Sequence, residues 1–447
     1  MTGRRLFYER ELTEYPVGGR RIWFLFIAIL ANFVASYEAQ ISPVLPLLMR
    51  DLHMTLGQYG EIASISVVAS AVSAMIFGPL ADRYGRVRFL VPSLFLTAAC
   101  VYGMVLVHSV TGLFIARIIL AFIEGVAIAS TAGQVRDFSP RTGRALAFGF
   151  WTFGPVGSNF FANAVAGATL PIFHTWQSQF VIEGSVALAA CILILFTIHD
   201  LSPQLRAKVI DSVEQVDAVN RQVRRDGLEE PKMREILRVP HIWTLTLGIS
   251  LFLLTYLTIQ SFGTTFLVQA FHYDTSQAAA IAKYFWLLNL ATLLIAGWIS
   301  DRLRLRKIVS FVGAVLSVLY MFYFVSLVGQ TIPEGQMILY TSLLGGLFGV
   351  AYGPWCALFS ENAEDIKPSL QSAAWGLFGF VIRVAGIAVA LCLPVVVAMG
   401  GWGAWLTVSA VGGLIYIPLV FTAKGPWFRF QRPMLPMSES QVPNVED

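Results

Sequence analysis

The chain has 447 residues, 56% of them hydrophobic and only 13% charged, and its mean hydropathy of +0.67 excludes a soluble domain of ordinary composition. The net charge of +4 does not require a nucleic-acid partner, because cytoplasmic loops rich in Lys and Arg produce the same excess. We therefore expect an integral membrane protein that does not bind nucleic acid.

Apolar runs of about 20 residues, long enough to cross a bilayer as a helix, recur along almost the whole chain. Short polar breaks, or breaks marked by Gly and Pro, separate these runs. The pattern predicts an all-α membrane protein with twelve transmembrane helices. The spans lie near residues 22–49, 56–81, 88–108, 111–136, 143–170, 178–199, 241–271, 275–300, 307–328, 336–362, 369–397 and 402–423.

The distribution of Lys and Arg predicts the orientation of these spans, because cytoplasmic loops are enriched in both residues. With the N-terminus inside, every predicted inner segment carries Lys or Arg, whereas the predicted outer loops carry only Arg50. We therefore expect both termini to be cytoplasmic. No Asn is followed two residues later by Ser or Thr, so no glycosylation site is present. A bacterial inner membrane fits this pattern.

The stretch 200–240 is the only long polar segment between the predicted spans, and it divides them six and six. Mixed charges at helical spacing predict one or two cytoplasmic surface helices there, with a simple solvated linker as the alternative. The predicted organisation is a tail, a six-helix bundle, a linker, a second six-helix bundle and a tail. Their boundaries are 1–21, 22–199, 200–240, 241–423 and 424–447.

A short polar motif occurs twice. GPLADRYGRVR at 78–88 lies between the second and third spans, and GWISDRLRLRK at 297–307 lies between the eighth and ninth. In both copies Gly is followed four residues later by Asp and then by Arg, and 219 residues separate Asp82 from Asp301. Parallel internal repeats are one way in which transporters build alternating access.

On these residues the chain resembles the major facilitator superfamily, in which a G-x-L-a-D-r-x-G-r-k loop joins the second and third spans. The first copy matches at Gly78, Leu80, Asp82, Arg83, Gly85 and Arg86. The second copy is weaker and keeps Gly297, Asp301 and Arg302. The resemblance implies two pseudo-symmetric six-helix bundles, a monomer, and a central cavity lined by spans 1, 2, 4, 5, 7, 8, 10 and 11.

The repeated motif suggests a latch at the cytoplasmic surface. Gly78 would permit close helix approach, Gly85 a tight turn, and the charged side chains bonds to neighbouring helix ends. Acids placed to receive the arginines are Asp137, Glu361, Glu364 and Asp365. The alternative is that the arginines only set topology, which leaves the repeated acids unexplained. The predicted gating residues are Gly78, Asp82, Arg83, Gly85, Arg86, Asp137, Asp301, Arg302 and Glu361.

Five ionisable residues lie deep within predicted spans, where charges are costly and therefore indicate function. They are Glu38, Arg117, Glu124, Lys283 and Arg383. Arg117 and Glu124 are two helical turns apart on one face, about 10 Å along the axis. Glu124 is a candidate for proton coupling, because burial disfavours its charged form and a nearby cation favours it. A structural ion pair between helices is the alternative.

The helix-four Arg with a Glu two turns later also resembles the anion:cation symporter branch, where the pair serves substrate binding and proton coupling. That branch often adds an acid on the first span, here Glu38, although Ala39 stands where a cation often follows. Arg383, near mid-span, is a candidate for bidentate carboxylate binding. Lys283 supplies a second cation or extends to the outer surface.

Further polar and aromatic side chains on the lining spans are candidate substrate contacts. They are Tyr37, Gln40, Asn159, Asn163, Gln260, Asn289, Tyr352, Trp355 and Trp375. Interface anchoring and ordinary packing are the alternatives for the aromatic residues.

The excess of deep cations favours proton-coupled uptake of a small organic anion, such as a carboxylate. FGPVGS at 153–158 partly resembles the fifth-span motif of superfamily antiporters and supports the alternative of drug efflux. A receptor on a transporter frame is a third possibility. No GxxxxGK[ST] or HExxH occurs and the four cysteines form no CxxC pair, so we expect no enzyme, no cofactor and no metal. The expected partners are an organic anion, protons and membrane lipids.

Overall fold

The computed structural model describes residues 8–38, 41–138, 153–202, 204–205, 238–364 and 371–428. The fold is almost entirely helical. The helices are α1 (Gly18–Glu38), α2 (Leu45–Asp51), α3 (Leu56–Tyr84), α4 (Arg86–Met104), α5 (Val110–Phe138), α6 (Phe153–Phe173), α7 (Trp176–Thr197), α8 (Pro240–Phe252), α9 (Leu254–Phe271), α10 (Thr275–Leu303), α11 (Arg306–Ser326), α12 (Glu334–Glu364) and α13 (Gln371–Leu419). Two-residue strands β1 (Glu11–Leu12) and β2 (Asp200–Leu201) pair in parallel.

Several predicted spans are interrupted or joined. The first span is divided into α1, a 3-10 turn at Ser42–Val44 and α2, because Pro43 and Pro46 interrupt the helical hydrogen bonds. The seventh consists of α8 and α9, which meet at Leu253. The eleventh and twelfth are the two helices of α13, which meet at Gly401, where φ +73 and ψ −179 are not helical.

Ten helical stretches among the described residues are long and apolar enough to cross a membrane. The last of them, Ala374–Thr422, contains the break at Gly401. Helix α6 has 21 residues, about as many as α7, but carries Asn159 and Asn163, which lower its hydropathy. The predicted segment 143–152 lies outside the described residues.

The helices pack as two groups. In the first, α3 and α4 pack against α5, and α1 packs against α6 and α7. In the second, α10 and α11 pack against α12, and α8, α9 and α11 pack against α13. The groups meet where α6 contacts α10, α3 contacts α13, and α9 contacts the turn before α2.

Small residues permit the closest contacts between the two groups. A Cβ on Gly60 of α3 would lie 2.0 Å from the carbonyl oxygen of Ala390 in α13. A Cβ on Gly167 of α6 would lie 2.9 Å from the Cα of Ala280 in α10. Gly60 lies near the start of α3, whereas the 78–88 motif contains its end. The two groups are therefore in backbone contact at the end of the molecule away from that motif.

Candidate functional site

The first copy of the repeated motif covers the end of α3, Gly85 and the start of α4. Gly85 joins the two helices with φ +104, a conformation that favours glycine. A Cβ on Gly78 would lie 4.0 Å from Ala129, an ordinary contact, and one on Gly297 would meet nothing within 4 Å. The close helix approach expected at Gly78 therefore does not occur.

Arg86 crosses from the first residue of α4 to the end of α5. Its guanidinium forms an ion pair with Asp137 and also donates to the carbonyl oxygen of Gly133. Both charged side chains are buried, with 1% and 6% of their surfaces exposed. Gly133 makes room for this contact, because a Cβ there would lie 2.2 Å from Arg86 Nε. Asp137, which the sequence indicated as a candidate partner for the motif arginines, is thus in contact with one of them.

The sequence reasoning missed Asp200, which follows α7 in β2. Its Oδ2 accepts hydrogen bonds from the backbone N–H groups of Arg86, at 2.7 Å, and Val87, at 3.3 Å. A carboxylate in this position stabilises the partial positive charge at the start of α4. In the sequence, Asp200 could be recognised only as an acid just after an apolar span.

The segment 8–17 lies against this latch, although the sequence predicted only a tail there. Backbone bonds join β1 to β2, and the Tyr15 hydroxyl donates to the carbonyl oxygen of Asp137 at 3.2 Å. Glu9 pairs with Arg88 at 3.4 Å. Residues 18–21 of the predicted tail already belong to α1.

In the second half, a different arginine from the one expected forms the contact. Arg306 pairs with Asp301 at 3.0 Å and also with Glu361 at the end of α12. Arg302 instead lies over the ring of Trp298, 5.3 Å from its centroid, in its own helix. In the first half Arg83 similarly lies over the adjacent ring of Tyr84, also at 5.3 Å.

Three acids of the predicted latches cannot be assigned contacts. Asp82 and Glu364 belong to α3 and α12, but their side chains lie outside the described part of the structure. Asp365 lies outside the described residues altogether.

Glu124 occupies the middle of α5, 14 residues from either end. Glu124 is buried. Glu124 Oε1 and Arg117 Nη1 have no hydrogen-bond partner within the described part of the chain. The positive charge of Arg117 lies within electrostatic range of the Glu124 carboxyl and the Tyr59 hydroxyl. Such unsatisfied buried charges are costly, so this face of α5 is suited to a charged ligand or a proton.

The contacts that the described residues give the other two deep cations lie within the cations' own helices. Arg383 is exposed on α13, and its Nη1 donates to the carbonyl oxygen of Gly379 at 3.1 Å. Lys283 is half-buried on α10, with its Nζ 5.0 Å from the centroid of the Tyr284 ring. Neither cation has a carboxylate partner among the described residues, so both remain available to an anion.

The predicted amides lie deep in the fold. Asn159 donates to Pro155 of its own helix at 2.8 Å, while Asn289 donates across to Gly345 of α12 at 2.9 Å. The Oδ1 atoms of both have no partner among the described residues. Asn163 Oδ1 accepts from the Thr264 hydroxyl at 3.5 Å, which joins α6 to α9 across the two groups.

The aromatic candidates belong mainly to packing. Trp355 is fully buried, and its ring stacks on Tyr352 at 5.7 Å and on Phe359 at 4.9 Å. Trp375 lies edge-on to Phe359 and donates to Ser360 at 3.0 Å. The expected substrate contact by Trp355 is therefore replaced by packing between α12 and α13, because the ring has no open surface.

The remaining candidates are only partly described. Gln260 is half-buried on α9. Tyr37 and Glu38 belong to the last turn of α1, but their side chains lie outside the described structure, and Gln40 lies outside the described residues. The sequence reasoning missed Tyr59, whose ring packs edge-on against Phe262 of α9 at 5.5 Å.

The comparison with known proteins agrees with this architecture. The sequence profile of the Major Facilitator Superfamily matches residues 24–391. The chain belongs to the Major Facilitator Superfamily. A bacterial homolog of the human lysosomal transporter Spinster, solved in an inward-facing and occupied conformation, has the same fold at a TM-score of 0.63 and 16% identity. That match covers 91% of this chain and 95% of the Spinster homolog.

Two curated relatives differ in what they carry and how far they match. The phosphoglycerate transporter protein of Salmonella typhimurium is 22% identical over 415 residues, or 88% of this chain and 86% of the relative. The quinolone resistance protein NorA of Staphylococcus aureus is 26% identical over 206 residues, or 42% of this chain. The NorA match spans about half (51%) of that protein's length.

The family and the fold together settle the broad class. This member of the superfamily is a multi-pass integral membrane protein, and its bacterial relatives indicate an inner membrane. It has the family and fold of transporters rather than enzymes.

Proposed function

We propose that this superfamily member is a proton-coupled secondary transporter that imports a small organic anion by alternating access. Its monomer has twelve spans, both termini are cytoplasmic, and its coupling resembles that of the anion:cation symporter branch. The observation that carries this proposal is the pair of unsatisfied charges on one face of α5, Arg117 and Glu124. An anion at Arg117 and a proton on Glu124 would satisfy both.

The electrostatics of this pair favour symport. At a separation of about 10 Å and an effective dielectric constant of about 20, two unit charges attract by about 1.7 kcal/mol. The attraction stabilises the ionised form of Glu124 while Arg117 is uncompensated. An anion that neutralises Arg117 removes this effect, so Glu124 binds a proton roughly 15-fold more readily. Binding of the anion and of the proton then reinforce each other.

Other residues complete the proposed site. Arg383 and Lys283 supply further positive charge, and Glu38 supplies a second proton site on α1. The proposed polar contacts are Tyr37, Gln40, Asn159, Gln260, Asn289 and Tyr352.

The contact between the two groups at Gly60 and Gly167 supports an assignment of this conformation as inward-facing. The buried pair Arg86–Asp137 and the exposed network of Asp301, Arg306 and Glu361 each join helices of one group. As the proposed inner latches they would fix the cytoplasmic ends of helices within a half. Gly85 provides the turn on which the first latch depends.

The phosphoglycerate transporter supports an anionic substrate, because phosphoglycerate carries a carboxylate and a phosphate and the match covers most of both chains. The match to NorA, together with FGPVGS at the start of α6, supports efflux of amphipathic compounds as the second candidate. A cavity with three cations is poorly suited to cationic drugs, which favours uptake.

The test uses purified protein in liposomes that contain a pH-sensitive dye. Mono-, di- and aromatic carboxylates and phosphoglycerate are added outside, and acidification of the lumen is recorded. We expect one class to drive acidification, Glu124→Gln to abolish it, and Arg117→Ala to weaken substrate binding. Glu61→Gln, which removes an exposed carboxylate from α3, is the matched control and should leave transport intact. Proton movement driven only by lipophilic compounds, in the opposite direction, would replace uptake by efflux.

A further inference from the structure

The two halves of the molecule differ at the start of the helix that follows each copy of the motif, α4 in the first half and α11 in the second. In the first half, Asp200 accepts from the first N–H groups of α4 and lies three residues after the end of α7. In the second half, α11 begins at Arg306 without a side-chain cap. Among the described residues, no carboxylate caps the start of α11.

A cavity of about 380 Å³ lies beside the start of α11. Its lining includes Gly425 and Pro426 together with Arg304, Arg306 and Lys307. About 10–15 Å³, counted as space for the centre of a water-sized sphere, is enough for one water molecule. The space is thus large enough for an anionic group with a small substituent.

The cavity has an excess of positive charge. Its two acids, Asp301 and Glu361, are both engaged by Arg306. Lys307 is buried, and its Nζ donates to the carbonyl oxygens of Phe421 at 3.2 Å and Ala423 at 2.6 Å, which leave its charge uncompensated. Arg304 is exposed and has no ion-pair or hydrogen-bond partner in the described ranges. Arg304 is therefore available to a ligand, and the buried charge of Lys307 adds to the positive potential beside it.

Arg304 has an unusual backbone conformation. Its φ of +54 lies in the left-handed region, at the position that corresponds to Gly85 in the first copy of the motif, 219 residues earlier. An arginine is unfavourable in this conformation, where glycine would be relaxed. The positive charge of Arg304 is thus present at a position where the backbone conformation alone would favour glycine.

We propose that this cavity binds a phosphate group, and that the group belongs to the headgroup of an anionic phospholipid. Arginine and lysine are the side chains best suited to phosphate. Exposed aromatic rings lie near the lining residues Gly425 and Pro426 in the chain: Phe421 and Phe428 are 57% and 64% exposed. The Nζ of Lys307 lies 4.4 Å from the centroid of the Trp427 ring. Aromatic rings in such a position are typical of a membrane interface.

The experiment is native mass spectrometry of the full-length protein, titrated with dioleoyl phosphatidylglycerol, phosphatidylcholine or inorganic phosphate. We expect one tightly held phosphatidylglycerol per protein and weaker binding of phosphatidylcholine. Arg304→Gly should reduce the affinity about tenfold, the effect of losing one charge-assisted hydrogen bond, and Arg304→Lys should retain most of it. Glycine suits the left-handed backbone, so this variant is expected to fold.

The matched control is Arg302→Gln. This variant also removes one positive charge, two residues from Arg304, but the Arg302 side chain lies over Trp298. Equal losses in Arg302→Gln and Arg304→Gly would indicate diffuse attraction to the protein surface and would overturn the site. Retention of phosphate with no preference between the two lipids would assign the cavity to a soluble phosphate and overturn the lipid source. Unchanged phosphatidylglycerol binding in Arg304→Gly would overturn both.

Discussion

The latch of the first half depends on the absence of a side chain at residue 133, and Gly133→Ala tests that dependence. An added Cβ would lie 2.2 Å from Nε and 2.7 Å from Cδ and Cζ of Arg86. The guanidinium must then leave its position between Gly133 and Asp137. Breaking a buried ion pair costs about 3–5 kcal/mol, and alanine recovers about 1 kcal/mol of helix propensity. We expect a net loss of about 2–4 kcal/mol.

The assay is thermal unfolding in detergent, followed by tryptophan fluorescence, with Gly297→Ala as the control. A Cβ at Gly297 meets nothing within 4 Å, so this variant should melt at or slightly above the temperature of the parent protein. The loss at Gly133 should also disappear in an Arg86→Ala background, where no guanidinium remains to be displaced. Equal melting of Gly133→Ala and Gly297→Ala, or additive losses with Arg86→Ala, would refute the role given to this glycine.

Three further predictions concern neighbouring features. Asp200→Ala should lower stability by about 1–2 kcal/mol through loss of the α4 cap, measured by the same unfolding assay with Asp274→Ala, a cap at the opposite end of the molecule, for comparison. Burial lowers the pKa of His199, just beyond α7, below its usual range. The folded protein therefore binds fewer protons than the unfolded chain. Its stability should fall as the pH drops below about 6.5, the ordinary pKa of histidine. His199→Gln should flatten that dependence. Gly167→Leu should separate α6 from α10 and expose a cysteine introduced at Ala280 to a polar thiol reagent, whereas unchanged labelling relative to the Ala280→Cys single variant would contradict the close contact between the groups.

Much of the fold followed from hydropathy, because apolar runs of membrane length are a strong signal. The interruptions did not, since they depend on local backbone chemistry. Pro43 divides the first span, and Gly401 is the only break between the last two. That break consists of a single residue with φ +73 and has no polar loop, so its form could not be predicted.

The candidate site was predictable at the level of residue type but not of pairing. Asp137 was found because it follows an apolar span, and Arg86 contacts it. Asp200 was missed because it reaches α4 only through the folded chain. Arg306 replaced Arg302 as the partner of Glu361 because the left-handed turn at Arg304 sets which side chain points back to α12. The direction in which side chains point after such a turn cannot be read from a single sequence.

The two latches have the same topology and different strengths. In each half, an arginine at the start of one helix meets an acid at the end of the helix after it. Arg86 and Asp137 are buried, whereas Arg306 and Glu361 are 27% and 50% exposed. A buried pair is costly to separate, while an exposed pair contributes about 1 kcal/mol or less.

This difference bears on how the proposed transport cycle proceeds. Helix α5 carries both the unsatisfied pair at mid-depth and the acceptor of the buried latch, so the proposed substrate site and the latch of the first half belong to one helix. Helix α12 ends in the exposed and weaker latch. The ion pairs that rearrange at low cost during opening and closing are therefore those of the second half, with the first half as the fixed frame.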